Sequence, residues 1–429
     1  MTAPLRIGRL FATTLALGLA CDGSLALADN TLNSSEKPDT ASGPPPPPVP
    51  KNDFTIVPAA GGSTDVGVGV GFFSALTRNQ EGHAPFVWNI EAAWFISFEL
   101  RDGRTIEVPY NDGYAKLTVT RFLDGPLQLE LRPSFTDEGT LYYYGMGNAS
   151  KASPPAGEGN QYFQYGRVHP QLSTDVSFRV VDHVSGKIGM GYTASSLRIS
   201  QDSKLADDIR NGSPDTKALI GPANGLQSVA LLRTGIQFDT RDNETSPHRG
   251  TWDEADLKLS PGGTAAFPNR YGQATVTLRA YVPLVADRLT LAARLVGDVL
   301  FGDVPFVELP RFENTYALGG SNGVRGVPAQ RYYGKVKAFG NLELRDRLFD
   351  IRLFGKPMNL GAACFVDGGR LWADTTPRPD LDGRGLGLKY GVGGGLRLSS
   401  GSAFVLRADV AWSPDATPVG GYVAAGESF

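Results

Sequence analysis

The stretch ALLRTGIQFDTRD, Ala230 to Asp242, decides the fold. Its even positions include Ala230, Leu232, Thr234, Ile236 and Phe238, whereas its odd positions, Leu231 apart, are Arg233, Gly235, Gln237, Asp239 and Arg241. Side chains alternate across a β-strand, so this segment has one apolar and one polar face. The same period recurs downstream. In GQATVTLRAYV, Ala274, Val276, Leu278, Ala280 and Val282 oppose Gln273, Thr275, Thr277, Arg279 and Tyr281. In KVKAFGNLELR, Val336, Ala338, Leu342 and Leu344 oppose Lys335, Lys337, Asn341, Glu343 and Arg345. In AFVLRADVAW, Phe404, Leu406, Val410 and Trp412 oppose Arg407 and Asp409.

A soluble sandwich alternates too, with its apolar face inward. Two features favour a membrane barrel instead. The strands are long, and their connections mix tight polar turns (LRDGR, LDGP, VADR, SSGS) with long loops at Asp137–Asn160, Gln201–Asn224 and Gly302–Tyr333. Counting back from the last strand, GGYVAAGESF (Gly420–Phe429), the preceding strands are Ala403–Trp412 and Gly385–Leu398. The count reaches sixteen at TDVGVGVGFFSAL, with Arg104–Tyr114, broken by Pro109, among the early candidates. The expectation is an all-β chain: a single 16-stranded antiparallel transmembrane β-barrel. Its first strand lies near Val66–Phe73, and Phe429 and Tyr422 form an aromatic C-terminal insertion signal.

Composition agrees with this reading. Glycine is abundant, at 53 residues, which suits a protein of strands and turns. The net charge of −3, with basic residues spread along the chain, excludes a nucleic-acid surface. Two cysteines, Cys21 and Cys364, build neither a disulfide framework nor a thiolate metal site. His83, His169, His183 and His248 share no ligand spacing. No catalytic triad or paired-carboxylate motif stands out, so no enzyme, cofactor or metal is expected. Asp239, Arg241 and Asp242 read as a salt-bridge network beside a turn.

Residues 1–28 read as a signal peptide, with Arg6 and Arg9, the apolar LFATTLALGLA and a cleavage site at Ala26-Leu27-Ala28. Cys21 ends a partial lipobox, but Gly18 stands where leucine is expected, so the unlipidated reading is preferred. Residues 29–52 read as a disordered tether ending in GPPPPPVPKND, whose prolines favour stiff polyproline II. The barrel then occupies residues 53–429.

The segment ALGGSNGVRGVPAQRYYG, Ala317 to Gly334, crowds glycine about Arg325 in the loop between strands 11 and 12. It is not a phosphate loop, because no Gly-Lys-Ser/Thr follows. The glycines of GVGVGF and GLGLKYGVGGGLRL lie within alternating strands and lack the acidic partner of a dinucleotide fold.

Five motifs in order carry a resemblance. YYGMGN (Tyr143–Asn148) is a glycine-rich early strand end, and FDTRDNETSPHRGTW (Phe238–Trp252) is an Asp-x-Arg-Asp…Pro-x-x-Gly hairpin containing Pro247 and Gly250. VRGV (Val324–Val327), GNLELR (Gly340–Arg345) and FVDGG (Phe365–Gly369) follow. Together they resemble the bacterial surface antigen superfamily, the BamA/TamA-like outer-membrane barrels. The resemblance implies that the loop of Val324, Arg325 and Gly326 folds into the lumen and that Arg325 meets Glu343 and Asp367. Val327 stands where the family motif closes with an aromatic. Family members also usually carry POTRA domains before the barrel, for which the tether leaves no room.

The function so implied is assembly, insertion or translocation of outer-membrane proteins, through a seam between first and last strands in the bacterial outer membrane. Membrane lipid, nascent outer-membrane proteins and a separate periplasmic partner are the implied contacts. The rival readings are a passive channel constricted by the Arg325 loop and a structural surface barrel.

Overall fold

The computed structural model describes residues 51–80, 83–101, 105–223, 225–286, 288–312, 317–353, 355–400, 404–415 and 419–429. The segments read from the sequence as signal peptide and tether, with Cys21, lie outside the described residues up to residue 50.

The chain forms a closed antiparallel barrel of sixteen strands. In order these are β1 (Lys51–Ser63), β2 (Gly67–Gln80), β3 (His83–Arg101), β4 (Tyr110–Phe122), β5 (Leu127–Tyr142), β6 (Gln164–Val181), β7 (Val184–Ile199) and β8 (Leu226–Asp239). They continue with β9 (Gly250–Ser260), β10 (Tyr271–Val285), β11 (Leu289–Gly302), β12 (Val336–Leu353), β13 (Lys356–Trp372), β14 (Lys389–Ser400), β15 (Phe404–Trp412) and β16 (Gly420–Ala425). Each strand pairs with its sequence neighbours, and β1 meets β16.

The wall is inside-out relative to a soluble protein. Leu232, Ile236, Val276, Leu278, Leu342 and Val410 are exposed on the outside, whereas Arg279, Glu343, Arg407 and Asp409 are buried within. Only lipid accepts such an outer face, and only a closed sheet spans lipid without leaving strand edges unpaired along most of its wall. No described helix is long and apolar enough to cross a membrane.

Three expectations need correction. The first strand is not Val66–Phe73: that segment lies at the start of β2, and Lys51–Ser63 forms β1 by pairing with β2 along its whole length. Lys51 and Asn52, read as tether, are therefore in the wall. The count stays at sixteen because Arg104–Tyr114 is not a wall strand of its own. Its Thr105–Glu107 only prolongs the β3 hairpin, against Glu99–Arg101, before β4 begins at Tyr110. Finally, β16 does not reach Phe429. It stops at Ala425, Gly426 adopts φ +84°, a left-handed turn glycine accepts readily, and Glu427–Phe429 enter the lumen. The buried arginines there offer this tail contacts that the lipid side cannot.

The barrel seam follows from that turn. β1 and β16 share two residue pairs, Gly62↔Val423 and Ser63↔Tyr422, whereas all 13 residues of β1 pair with β2. One further bond, Thr64 N to Gly421 O at 3.0 Å, ends the contact. From Lys51 to Ala60, β1 is exposed.

The end of the barrel with long loops is capped. Two short helices lie in the β7–β8 loop, α1 (Lys204–Asn211) and α2 (Pro214–Ile220). Ser203 and Ser213 cap them by accepting from Ala206 N at 3.3 Å and Thr216 N at 3.1 Å. Leu205, Leu219 and Ile220 pack with Tyr143, Tyr165, Phe306, Leu309 and Tyr333 into an apolar dome. Phe306 stacks on Tyr333 at 5.1 Å.

Candidate functional site

The β11–β12 loop turns back beneath this dome into the lumen. Its tip is tied by its own backbone, with Val324 N donating to Leu318 O at 2.7 Å and Gly320 N to Val327 O at 2.8 Å. Val324 and Val327 are fully buried among Phe312, Leu318, Tyr332, Phe339 and Leu371. The wall grips the tip as well. Arg294 (β11) donates to Asn322 O at 2.7 Å, Asn341 (β12) to Gly323 O at 2.8 Å and Arg407 (β15) to Asn322 Oδ1 at 2.7 Å.

These bonds deliver Arg325 to three carboxylates. Its Nε and Nη2 donate to Asp367 Oδ2 and Oδ1 at 2.8 and 2.9 Å, a bidentate pair, and its own backbone N reaches Asp367 Oδ2 at 3.1 Å. Nη1 donates to Glu343 and, at 3.4 Å, to Asp409. All four side chains have no accessible surface. Burial alone would lower the Arg325 pKa. The hydrogen bond to Asp367 and the negative charges around it outweigh burial, and the net shift is upward. Beyond this shell Arg345 holds Glu343 at 2.8 Å, while Arg397 and Arg407 hold Asp409 at 2.5 and 3.3 Å.

Two parts of this arrangement were not read from the sequence. Alternation puts Asp409 on the polar face of its strand, but nothing local says that β15 faces the loop tip. The aromatic missing at Val327 is supplied elsewhere: Phe365 of β13 lies under the guanidinium, 3.3 Å from Arg325 Cζ to the ring centroid. The alternation that turned Asp367 inward places Phe365 on the same face.

Gly391 of β14 explains one glycine of YGVGGGLRL. A methyl group there would lie 1.8 Å from the Arg325 carbonyl oxygen. Gly391→Ala is therefore expected to push the loop off the wall at a cost of about 1–3 kcal/mol. Faster tryptic cleavage at Arg325 and Arg331 would report the undocking. Unchanged cleavage would show that the loop does not depend on this approach.

Gly326, at φ +89°, continues the chain toward the seam. Its N–H donates to the Tyr422 hydroxyl at 2.9 Å, and Ala329 N donates to Asp65 Oδ1 at 3.1 Å. The loop thus touches β16 and the β1–β2 turn, one on each side of the seam. Tyr422, expected as part of an insertion signal, is buried here. Loss of water around Asp65 outweighs the bond from Ala329 and raises its pKa from an ordinary 3.8 to about 6. A carboxyl with a raised folded pKa binds its proton more tightly when folded, so its contribution weakens as pH rises from about 4 to 6. The Ala329 amide is expected to exchange more slowly at pH 4.5 than at pH 7 after correction for intrinsic rates. Asp65→Asn should abolish the difference; an equal pH dependence in that variant would remove Asp65 as its origin.

The turn motif lies at the opposite end, between β8 and β9. Asp239 accepts from Arg241 Nε and Nη2 at 2.9 and 2.6 Å. Asp242 accepts from the backbone N of His248 and Arg249 at 2.9 and 3.1 Å. Arg241 and Arg279 sandwich Trp252, each 3.9 Å from its ring. Gly250 has φ +105°, and a Cβ there would sit 2.3 Å from Thr240 O. Pro247 lines the lumen mouth. Arg241 and Trp252 of this motif line one cavity with Arg294 and Asn322, the pair that grips the loop tip. Phe429 is in the lumen, its ring 4.8 and 4.9 Å from Arg294 and Arg345.

Among the described residues, no group of three His, Cys, Asp or Glu is arranged to hold a metal ion. Comparison with known families places residues 117–427 in the Omp85 superfamily domain. The chain belongs to the Omp85 superfamily. This is the assignment that the five motifs implied, and it makes the chain an outer-membrane barrel. Among solved structures, this Omp85 barrel is similar to BamA from Haemophilus ducreyi lacking POTRA domains 1–3, at 16% identity and a TM-score of 0.57, covering 88% of this chain and 70% of that one. It is also similar to CdiB from Escherichia coli, at 13% identity and a TM-score of 0.53, covering 90% of this chain and 64% of that one. The chain thus spans about two thirds of the length of these structures, and the likeness shows the fold. No curated protein sequence matches it.

Proposed function

We propose that this Omp85 barrel assembles or translocates other outer-membrane proteins by lending them the edge of β1. The observation that carries the reading is the seam: two residue pairs join β1 to β16, while β1 is exposed from Lys51 to Ala60. Backbone N–H and C=O groups left unpaired in lipid cost several kcal/mol each, so such an edge favours any strand that pairs with it. An incoming strand satisfies its own backbone on that edge as it enters the membrane, which lowers its insertion barrier. Family membership supports the same role. The Arg325 cluster serves it by bracing β12, β13 and β15 as one rigid half-wall against which the seam opens. A passive channel is less well supported, because the dome and the docked loop occupy the mouth at the long-loop end.

The test is reconstitution. Vesicles with and without the protein receive an urea-unfolded outer-membrane barrel, and its folding is followed by heat-modifiable migration. Faster folding only where the protein is present is the expected result. Unaltered client folding together with ion conductance by the purified protein would replace this reading with a channel.

A further inference from the structure

The seam stops short of where its two strands could run together. β16 pairs with β1 only at Tyr422 and Val423, yet Ala424 and Ala425 still pair with β15, and Gly426 N donates to Val405 O at 2.8 Å. On the other side β1 continues from Ala60 back to Lys51 with its outer edge open. Continuing the Gly62↔Val423 register would set Ala60 against Ala425, Pro58 against Glu427 and Ile56 against Phe429. Two features of the Pro58–Glu427 position oppose that continuation.

The first is in the backbone. Successive residues of a strand point their N–H and C=O groups to opposite sides. Thr64 N donates across the seam to Gly421 O, so the even residues of β1, Pro58 among them, face the open edge. Pro58 has no N–H, and a Glu427 carbonyl brought opposite it would meet no donor.

The second is in the side chain. Val68, Val70 and Phe72 are exposed on the lipid face of β2 and pair with Gly62, Ala60 and Pro58, which therefore share that face. A residue opposed to Pro58 shares it too. In a zipped seam Glu427 would turn its carboxylate into lipid, which destabilises a barrel wall. Turned inward at Gly426, the same carboxylate accepts from Arg397 Nε at 2.9 Å. Arg294 and Arg345 donate to the backbone oxygens of Ser428 and Phe429 at 3.2 and 3.0 Å.

We propose that Pro58 and Glu427 are positioning residues that keep the seam from zipping, one by withholding a ladder bond and the other by refusing the lipid face. The proposal deepens the edge-lending reading by naming what preserves the edge. It concerns the seam alone, so its test needs no client.

The test is cross-linking of the full-length protein in phosphatidylcholine vesicles. Ala60→Cys with Ala425→Cys, in a Cys364→Ala background, puts two thiols on opposed positions of the zipped register, within reach of a disulfide. Oxidation should link few molecules of this parent and about tenfold more once Pro58→Val and Glu427→Val are added. Pro58→Val with Glu427→Asp should stay near the parent, because the charge would still face lipid. Ala59→Cys in place of Ala60→Cys moves one thiol to the lumen face and should stay unlinked even with both valines. Heat-modifiable migration verifies that each variant is folded. Equal yields in the parent and the double-valine protein would overturn the proposal, and so would a cross-link at position 59 matching that at 60. A yield with Glu427→Asp equal to that with Glu427→Val would remove Glu427 from it. A seam that zips while client folding continues unchanged would sink the client reading and leave this one standing.

Discussion

Replacing Arg325 by alanine is expected to lower barrel stability by about 3–5 kcal/mol, the usual cost of removing one partner from a buried ion cluster. The charge balance explains why the loss is large. Arg325, Arg345, Arg397 and Arg407 face Glu343, Asp367, Asp409 and Glu427, four against four. Without Arg325 the ion-paired cluster is left with four carboxylates against three guanidinium groups, and Asp367 loses its ion-pair partner with no accessible surface to gain water. Arg325→Lys should recover part of the loss, since an ammonium keeps the charge but cannot bind Asp367 bidentately. Asp367→Asn added to Arg325→Ala should recover part of it too, by removing the stranded charge. The readouts are the midpoint of heat-modifiable migration and tryptic cleavage of the loop. If Arg325→Ala melts with the parent and its loop stays protected, the cluster does not hold the barrel together.

Locking the seam is expected to stop the proposed reaction. Ser63 and Tyr422 are directly opposed across β1 and β16, at a separation that a disulfide can bridge. Ser63→Cys with Tyr422→Cys, made in a Cys364→Ala background because Cys364 is an exposed free thiol, sets that lock. Oxidation should slow client folding in vesicles by about tenfold or more, a barrier increase of roughly 1.4 kcal/mol, and reduction should restore it. The single Tyr422→Cys variant controls for the lost bond from Gly326. Equal client folding rates in the oxidised and reduced forms would mean that the β1–β16 edge takes no part.

The alternation in segments such as Ala230–Asp242 carries the wall, because lipid outside and a polar lumen inside demand opposite chemistry at successive residues. For the same reason Glu343 and Asp367 were legible as lumen residues, and the family motifs paired them with Arg325. Phe365 and Asp409 were equally inward by pattern, yet their approach to Arg325 depends on where the loop tip lands. That position is set by bonds from Arg294 of β11, Asn341 of β12 and Arg407 of β15, residues up to 113 positions apart in the chain. No local pattern encodes such a convergence.

The strand ends were the least legible part. Val66–Phe73 alternates with glycine and so reads as a strand, which it is, but its rank depends on Lys51–Ser63, where KNDFTIVPAAGGS follows a proline run and contains a proline. A proline lacks the N–H for a ladder and usually signals an edge, and β1 is the strand whose other edge is left mostly unpaired. GGYVAAGESF looked like one continuous strand because its composition allows it. Only the buried arginines of β14 and β12, which bind Glu427 and the Phe429 carbonyl, draw its last three residues inward.

Sequence alone determined that this chain is an outer-membrane barrel of sixteen strands with an arginine loop, because face polarity and turn length are local properties that lipid selects directly. Tertiary structure alone decided that Asp409 and the Phe365 ring also meet Arg325, where the seam lies and how little of it is paired. Those depend on contacts between strands far apart in the chain, where geometry rather than composition chooses the partner.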